Sequence, residues 1–484
     1  MNLPSFRCSA LLLAVAVITA LVPGNLPAAG NEATDAGKVT DIGNRRELFV
    51  DSQLVAETTG DVRIEVQQPE PQEVVLTTGE PWEGNTCAYY TIFRDGDLFR
   101  MYYRGSHWDT GKKKATHPEV VCYAESTDGI HWKKPKLGLY EFEGSKDNNI
   151  VWNGVGTHCF AVFKDENPKC TPEARYKAIS RGRPQASKGL YVFQSPDAIH
   201  WKLIQDSPVI TTGAFDSQNL AFFDTVAGEY RAYYRGFNNG IRDILTATSP
   251  DFLNWKEHGY LTYPDVPAEH LYTNAVRRYE RAPHFFIGFP TRYLPKQAQR
   301  VEPVFMASRD GQTFHRFTEP VISQEAPEDR KGNRSNYMTW GLVQLPGKDK
   351  EYSVYATEAY YTGPDSRVRR FTFRVDGFTA LTGGKQGGTL TTKPVRFSGK
   401  ELQLNYETGK AGKVRVALAD AAGKPLPGFS LDDCQPLSGD EIDQTVSWKS
   451  GSDPGALAGQ PVRVIFEVTD GNLYSWRFQP TARP

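Results

Sequence analysis

The sequence predicts an all-β chain with a five-bladed β-propeller followed by a small C-terminal β-sandwich. Three observations predict this fold. A Ser-x-Asp-Gly-x-x-Trp phrase recurs along the chain, short apolar runs alternate with Gly, Asp and Asn clusters, and apolar residues alternate in the last part of the chain. Long-period self-similarity is typical of propellers and solenoids, and alternation of period two is typical of half-buried strands.

The repeated phrase marks the end of each predicted blade. Its copies are "STDGIHW" (126–132), "SPDAIHW" (195–201), "SPDFLNW" (249–255), "SRDGQTF" (308–314) and a worn "RVDGF" (374–378). Their starts are spaced by 69, 54, 59 and 66 residues. We expect each copy to form the last tight turn of a four-stranded blade, because its Asp can bond turn amides and its aromatic residue can pack between blades. We therefore expect the repeated aspartates to be structural rather than catalytic.

The repeats also set the predicted domain boundaries. The propeller occupies 31–381, with the blades starting near Glu47, and the segment 47–55 ("ELFVDSQLV") supplies a strand that helps to close the ring. The Gly-rich segment 382–394 is predicted to be a linker. Residues 395–484 form the sandwich, in which "KVRVALAD" places Val414, Val416 and Leu418 on one face.

The first thirty residues have the pattern of a secretory signal. Arg7 precedes the apolar run "ALLLAVAVITALV" and the small residues of "LPAAG". The run is shorter than a membrane-spanning helix requires, and no later run approaches that length. We expect cleavage of 1–30, a secreted or periplasmic protein and no membrane span; the alternative is an uncleaved N-terminal anchor.

Composition restricts the classes of partner. The 56 basic and 57 acidic residues give a formal net charge of −1, which offers no electrostatic case for a nucleic-acid partner. The 23 Tyr, 26 Phe and 9 Trp suit short strands, and they also suit sugar binding, in which aromatic faces stack on C–H surfaces. We expect a carbohydrate partner, and nothing in the sequence indicates the oligomeric state.

The cysteines do not form a disulfide framework. Five remain after the signal is removed, at irregular spacing: Cys87, Cys122, Cys159, Cys170 and Cys434. An odd number at such spacing predicts mostly buried, free thiols.

Three carboxylates are candidates for catalysis. The innermost strand of every propeller blade starts at one rim of the channel, and Glu83, Asp216 and Glu269 precede those strands in blades one, three and four. Glycoside hydrolysis needs an acid that protonates the leaving oxygen and a carboxylate that activates water or attacks the sugar. A third carboxylate raises the pKa of the acid by repulsion. The alternative is that the three residues cap strand ends or bond loop amides.

Other polar residues belong to the same predicted rim. The strand starts also carry His158, Asn219, His270, Asn336 and Trp340. The ends of the second strands return to that rim and carry Arg104, Arg181, Arg235 and Arg292. Two interpretations of the arginines stay open. They can pair with the carboxylates and stiffen the rim, or they can bind an anionic substrate such as a uronate or a sulfated sugar through forked hydrogen bonds.

No cofactor is expected. No pair of histidines has metal-ligand spacing, and no Gly-rich phosphate loop follows a strand and opens a helix. A structural cation in the channel stays open, since His158 and His270 precede inner strands.

A resemblance to a known group of enzymes rests on these features. The phrases "CYAESTDGIHW" and "SPDFLNW", with an acidic residue at the inner strand starts of blades one, three and four, resemble glycoside hydrolases of families 43 and 32. The resemblance implies Glu83 as base or nucleophile, Asp216 as pKa modulator and positioner, and Glu269 as general acid. The Asn-Asp-Pro-Asn-Gly and Arg-Asp-Pro motifs of family 32 are absent. Both families place Asp where this chain has Glu83, so Asp51 is the reserve candidate.

Three functions follow as alternatives. The first is a secreted glycoside hydrolase. The second is a glycoside phosphorylase of similar architecture, which would use phosphate in place of water and hold it with rim cations. The third is a noncatalytic carbohydrate-binding propeller.

Overall fold

The computed structural model describes residues 39–182, 187–264, 266–323 and 336–480. These residues form 32 β-strands and two 3-10 helices, and no α-helix occurs among them. The all-β part of the predicted fold is therefore confirmed. No helix within these ranges is long and apolar enough to cross a membrane, and the predicted signal segment 1–30 lies outside them.

The first half of the chain runs through an N-terminal segment and the first three predicted blades. The N-terminal strands are β1 (Thr40–Gly43), β2 (Glu47–Leu48), β3 (Val55–Val66) and β4 (Glu70–Thr77). Blade one contains β5 (Ala88–Asp95), β6 (Leu98–Gly105), β7 (Trp108–Asp109), β8 (Lys114–Ala115), β9 (Val120–Ser126) and β10 (Ile150–Trp152). Blade two contains β11 (Ala161–Lys164), a 3-10 helix (Pro172–Ala174), β12 (Tyr176–Arg181), β13 (Leu190–Ser195) and β14 (Lys202–Leu203). Blade three contains β15 (Leu220–Asp224), β16 (Glu229–Asn238), β17 (Ile241–Ser249) and β18 (Lys256–Tyr260).

The second half completes the blades and forms the C-terminal sheet. Blade four contains β19 (His270–Leu271), β20 (Arg277–Arg278), β21 (Phe286–Gly288), β22 (Thr291–Leu294), β23 (Arg300–Ser308) and β24 (His315–Pro320). Blade five contains β25 (Met338–Val343), β26 (Glu351–Glu358) and β27 (Arg367–Arg374). The C-terminal strands are β28 (Thr379–Thr392), β29 (Val395–Phe397), β30 (Glu401–Asp420), β31 (Asp440–Thr445) and β32 (Val462–Gln479), with a 3-10 helix at Gly455–Leu457.

Strand pairing in blades two and three follows the predicted order. Blades two and three are four-stranded sheets whose neighbouring strands are antiparallel, in the orders β11-β12-β13-β14 and β15-β16-β17-β18. Blades one and five share a sheet through a parallel bridge between Thr91 and Trp340. The blade count and the terminal sandwich stay predictions.

The strand that completes blade five comes from the N-terminal segment, although not from the residues predicted. The prediction for 47–55 is wrong, because β2 pairs with β32 through Glu47 and Trp476. Instead β4 pairs with β27, with Thr77 opposite Arg367. After β27 the chain continues into the C-terminal sheet, so β4 covers a sheet edge that would otherwise be unpaired.

The repeated phrase forms the turn that the sequence predicts. In the first copy, Asp128 accepts hydrogen bonds of 2.8 Å from the backbone N–H groups of Ile130 and His131. The indole N–H of Trp132 donates to the carbonyl of Gly129 at 3.1 Å. Equivalent Asp bonds to turn amides occur in three further copies, at Asp197, Asp251 and Asp310.

Tyrosines from the preceding blade bind these turns, which the sequence analysis missed. Each tyrosine lies in the second strand of its blade and donates its hydroxyl to a turn carbonyl of the next blade. The pairs are Tyr102 with Ala198 at 2.7 Å, Tyr233 with Gly311 at 2.9 Å, and Tyr355 with Gly129 at 2.7 Å. The last pair joins blade five to blade one, so the contact links the end of the repeat region to its beginning.

Replacing Tyr102 by Phe tests this contact between blades. Tyr102 is 0% exposed, and the variant removes one of two hydrogen bonds to the Ala198 carbonyl, since the indole N–H of Trp201 also donates to it at 3.1 Å. The free energy of unfolding should fall by about 1 kcal/mol. Urea unfolding measures the change. The control Tyr361→Phe, at a side chain that is 41% exposed, should stay within about 0.5 kcal/mol. Equal effects of both changes would contradict a role for the hydroxyl in holding blades together.

The predicted linker 382–394 is mostly β-strand. Most of it lies within β28, which pairs with β3 on one side and β32 on the other. The register shifts between Gly383 and Gly388, and a Cβ atom at Gly388 would collide with the backbone carbonyl of Thr59. The glycines therefore permit close backbone approach at a bulge, whereas their pattern in the sequence predicts a linker.

The C-terminal sheet has the buried face that the sequence predicts. Strands β30 and β32 pair along most of their length. Val414, Val416 and Leu418 are each 0% exposed and belong to one apolar cluster with Phe466 and Trp476. The alternation of apolar and polar residues thus reports burial on one side of β30.

Asp376, in the fifth copy of the phrase, connects the blades to the C-terminal sheet. It is 0% exposed and accepts hydrogen bonds from Tyr279 at 2.5 Å, Arg281 at 3.0 Å and Ser475 at 2.6 Å. Arg46 lies 3.3 Å away. A turn aspartate has therefore become the centre of a buried polar network.

The prediction of free thiols is confirmed. Cys87, Cys122, Cys159 and Cys434 are buried, Cys170 is partly buried, and all five are unpaired in the described part of the chain.

Candidate active site

The starts of the inner strands from different blades meet around one small cavity. Its lining includes Tyr89 of blade one, Gln218 of blade three, Thr273 of blade four and Met338 of blade five. Gln218 donates a hydrogen bond of 2.9 Å to the carbonyl of Tyr90. Residues that are far apart in sequence are thus neighbours, as the repeat pattern requires.

A histidine joins two carboxylates beside this cavity. His158 precedes the first strand of blade two, and its Nε2 lies 2.8 Å from Asp216 Oδ1. Its Nδ1 lies 2.9 Å from Glu119 Oε1. The side chain of Asp216 is 52% exposed and that of Glu119 is 26% exposed. Both carboxylates are therefore open to a ligand, and one imidazole connects them.

Asp216 is held in its charged form. The hydrogen bond from His158, with the positive charges of Arg181 and Arg235 nearby, keeps the pKa of Asp216 well below its usual range, although desolvation opposes the shift. An ionised carboxylate at neutral pH can accept a proton or attack an electrophile. It cannot act as the general acid.

Tyrosines lie beside His158, Asp216 and Glu119, which together are called the His158 group below. Ring centroids lie 5.5 Å apart for Tyr89 and His158, 5.6 Å for Tyr272 and Tyr337, and 5.8 Å for Tyr337 and Tyr360. Burial raises the pKa of Tyr89 and Tyr337 well above the usual value, so both phenols stay neutral. Neutral aromatic rings with a hydroxyl at one end suit stacking on sugar rings and hydrogen bonding to their hydroxyls.

Three of the four predicted rim arginines pair with carboxylates. Arg104 lies 3.5 Å from Glu119, Arg181 lies 3.4 Å from Asp216, and Arg292 pairs with Glu269 and Glu302. These residues fit the interpretation that the arginines stiffen the rim. Arg235 differs, because its Nε donates to the backbone carbonyl of Ala214 at 2.7 Å.

Glu83, predicted as base or nucleophile, does not share the His158 group. Its carboxylate is 1% exposed and accepts hydrogen bonds from Tyr103 at 2.5 Å, Lys134 at 2.7 Å and the backbone N–H of Glu80 at 3.1 Å. Burial raises its pKa, and the charge of Lys134 opposes that shift. A carboxylate enclosed by its own protein cannot reach a sugar, so the geometry does not support the predicted role.

Glu269, predicted as the general acid, is bound by two arginines. Arg316 donates to it at 2.6 Å and Arg292 at 3.4 Å. Both its oxygens act as acceptors in these pairs, and Glu269 shares no described contact with His158 or Asp216. The geometry favours a structural role for Glu269 as well.

Most of the remaining predicted residues hold the backbone. Asn219 donates to the carbonyls of Phe215 and Ser217, Asn336 donates to Ser323, and Trp340 donates to Val276. His270 accepts a hydrogen bond of 3.0 Å from the backbone N–H of Arg242, and burial lowers its pKa. Asp51, the reserve candidate, pairs with Arg309 at 2.7 Å and shares no described contact with the His158 group.

Known proteins match only part of this chain in sequence. No family model matches the chain. Two curated uncharacterized proteins from Mycobacterium tuberculosis strains are 24% identical over 151 residues, which is 31% of this chain and 44% of their length. The chain therefore spans less than half of these relatives.

Solved structures give a similarity of fold. A thermostable family-43 glycoside hydrolase has a TM-score of 0.44 and 14% identity, covering 65% of this chain and 96% of that one. A family 43 arabinoxylan arabinofuranohydrolase from Bacillus subtilis has a TM-score of 0.40 and 13% identity, and the match covers 85% of this chain and 99% of that one. A β-1,2-mannobiose phosphorylase from Listeria innocua has a TM-score of 0.46 and 13% identity, and the match covers 65% of this chain and 98% of that one. At such identities and TM-scores the similarity assigns no activity to this chain.

Two polar residues of the site escaped the sequence analysis. Glu119 directly precedes β9, and Arg242 is the second residue of β17. Each of these strands pairs with the second strand of its blade and follows it in the sheet. The third strand starts where the second ends, so its first residues belong to the same rim. The useful signal was a charged residue at each of these starts.

No metal site is evident in the parts of the chain that the structure describes. Within them, no group of three or more His, Cys, Asp or Glu side chains has an arrangement that could hold a metal ion.

Proposed function

We propose that this chain is a secreted or periplasmic enzyme that cleaves glycosidic bonds in oligo- or polysaccharides. In this proposal the five blades form one propeller, and the C-terminal strands form an accessory sandwich. The observation that carries the proposal is the open, ionised carboxylate of Asp216, joined through His158 to a second carboxylate and bordered by tyrosines.

The chemistry divides between the two carboxylates. Asp216 is the candidate base toward water or the candidate nucleophile, because it is held ionised. Glu119 is the candidate proton donor, and His158 lies between them and can carry protons from one to the other. The separation of the two carboxylates on either side of a bound sugar decides between retention and inversion.

Aromatic side chains supply the sugar-binding surface. Phe237 is 47% exposed and Tyr361 is 41% exposed, which makes them two of the three most exposed large apolar residues in the described chain. Phe237 lies beside Arg235, and Tyr361 lies against Tyr360 with centroids 4.6 Å apart. Exposed aromatic residues next to polar catalytic groups are typical of carbohydrate sites.

A glycan panel incubated with and without inorganic phosphate tests this function. We expect products in the absence of phosphate, and nuclear magnetic resonance of the first product determines whether the anomeric configuration is retained or inverted. Strict dependence on phosphate would favour the phosphorolytic alternative. Binding of glycans without any product under either condition would favour the noncatalytic alternative.

A further inference from the structure

Two arginines beside the His158 group have no acidic partner among the residues that the structure describes. No described carboxylate lies within ion-pair distance of the guanidinium group of Arg235 or Arg242, whereas Arg104, Arg181 and Arg292 each have one. Arg235 is only 6% exposed. A positive charge with so little access to water needs a compensating anion or strong polar partners.

Strand register places both arginines on one face of a hairpin. In the pairing of β16 with β17, Phe237 lies opposite Arg242, and Arg235 lies two residues before Phe237. Side chains two residues apart on a strand point the same way, and directly opposite residues share a face. The end of this hairpin therefore presents Arg235, Phe237 and Arg242 together.

Aromatic rings fix both guanidinium groups. The Arg235 group lies 4.9 Å from the ring centroid of Tyr272 and 5.4 Å from that of Phe237. The Arg242 group lies 5.5 Å from each of these rings and 4.9 Å from that of Tyr293. Both groups therefore contact the same two rings on one face of the hairpin.

Stacking leaves the hydrogen-bonding edge of a guanidinium group free. The attraction to a ring uses the flat face of the group, while its N–H bonds lie in the plane and point outward. Of these donors, only Nε of Arg235 has a protein acceptor within the described chain. Such a pair of preoriented forks matches the oxygens of a carboxylate or a sulfate.

The nearest acidic groups do not neutralise this pair. Asp216 is close enough to feel the charge of Arg235, but its hydrogen bond goes to His158 and its ion pair to Arg181. Asp243 follows Arg242 directly and so points to the opposite face of the strand, where Asn238 donates to it at 3.2 Å. A net positive charge remains beside an open carboxylate and exposed aromatic rings.

We propose that Arg235 and Arg242 bind the carboxylate or sulfate group of an acidic sugar unit next to the bond that is cleaved. The substrate is then an acidic glycan, such as a uronate-containing or sulfated oligosaccharide. This inference rests on the proposed function for its biological meaning, although binding of the acidic sugar can be measured without turnover.

Binding measurements on the full chain test the inference. Oligogalacturonides and a sulfated galacto-oligosaccharide are titrated against neutral oligosaccharides of equal length, and inorganic phosphate is titrated separately. The variants are Arg242→Gln, which removes one fork, and Arg235→Lys, which keeps the charge and loses the planar fork. The control is Arg94→Gln, an exposed arginine stacked on Phe99 at 5.8 Å and part of the first hairpin of blade one.

We expect an acidic ligand to bind the wild type more tightly than its neutral counterpart, and each site variant to weaken that binding about 10- to 100-fold. Arg94→Gln should leave the affinity for the acidic ligand within twofold.

Equal affinity for acidic and neutral ligands, or no effect of Arg242→Gln and Arg235→Lys, overturns the inference. Phosphate that binds as tightly as the acidic sugars and depends on the same arginines also overturns it, in favour of a phosphate site. Turnover of neutral glycans with no effect of Arg242→Gln defeats only this inference, and arginine-dependent binding without turnover defeats only the proposed function.

Discussion

The Asp216→Asn variant should lose activity about 100- to 10,000-fold in kcat, because the amide can neither accept a proton from water nor attack the sugar. Glycan affinity should change little, since an Asn can still form a hydrogen bond with His158. Initial rates and separate binding titrations on the same oligosaccharide measure the two quantities.

The Glu83→Gln variant distinguishes the assignment of Asp216 as base or nucleophile from the assignment of Glu83 to that role, which the resemblance implies. Glu83 is enclosed by Tyr103 and Lys134, so its replacement should lower the free energy of unfolding and leave kcat per folded molecule within a few-fold. If Glu83→Gln abolished turnover at unchanged stability, and Asp216→Asn did not, the site proposed around His158 would be wrong.

The Asp376→Asn variant should show the largest loss of stability, about 3 kcal/mol, because it removes the buried charge that Arg46 and Arg281 share and leaves only the partly exposed Asp443 to compensate them. Both lie within 3.3 Å of Asp376. Desolvation raises the pKa of Asp376, but the two arginines and Ser475 outweigh it and lower the value to about 2, from an ordinary 3.8. A depressed carboxyl pKa stabilises the fold above the ordinary value, and that contribution is lost as the pH falls toward 2.

Urea unfolding of Asp376→Asn at neutral pH and at about pH 3 measures both effects, and the difference from wild type should narrow in acid. Asp128→Asn is the matched control, because it changes the same residue of the first turn, where the carboxylate binds backbone amides, which an Asn can also satisfy, and the exposed His131. An ion pair that is open to water contributes little to stability. The loss in Asp128→Asn should stay below about 1 kcal/mol. Similar losses in both variants would contradict a special role for Asp376 between the blades and the C-terminal sheet.

The sequence predicted the local features of this chain well because they depend on short stretches. The phrase from Ser126 to Trp132 contains both the Asp and the amides that it binds, so its turn could be inferred from one copy. The same holds for the alternation around Val416 in β30.

Features that depend on distant partners were missed. The Gly-rich segment after Leu381 reads as flexible until β3 and β32 are seen to pair with it. Likewise, β4 completes blade five only because β27 leaves an edge open. In each case the deciding partner lies far away in the sequence.

The candidate site divides in the same way. Asp216 and His158 were found because their position before an inner strand is visible in the sequence. Glu83 precedes an inner strand too, but its side chain turns toward Lys134, and neither composition nor spacing reports that direction. Arg242 was overlooked because only the starts of first strands and the ends of second strands were considered.

The most direct measurement is a crystal structure of the Asp216→Asn variant with the oligosaccharide that the wild type cleaves fastest or, if none is cleaved, the one that it binds most tightly. We expect the scissile glycosidic oxygen within hydrogen-bond distance of Glu119, with a neighbouring sugar ring against Tyr272 or Phe237. A sugar that occupied another surface while the face around His158 held only solvent would contradict the account.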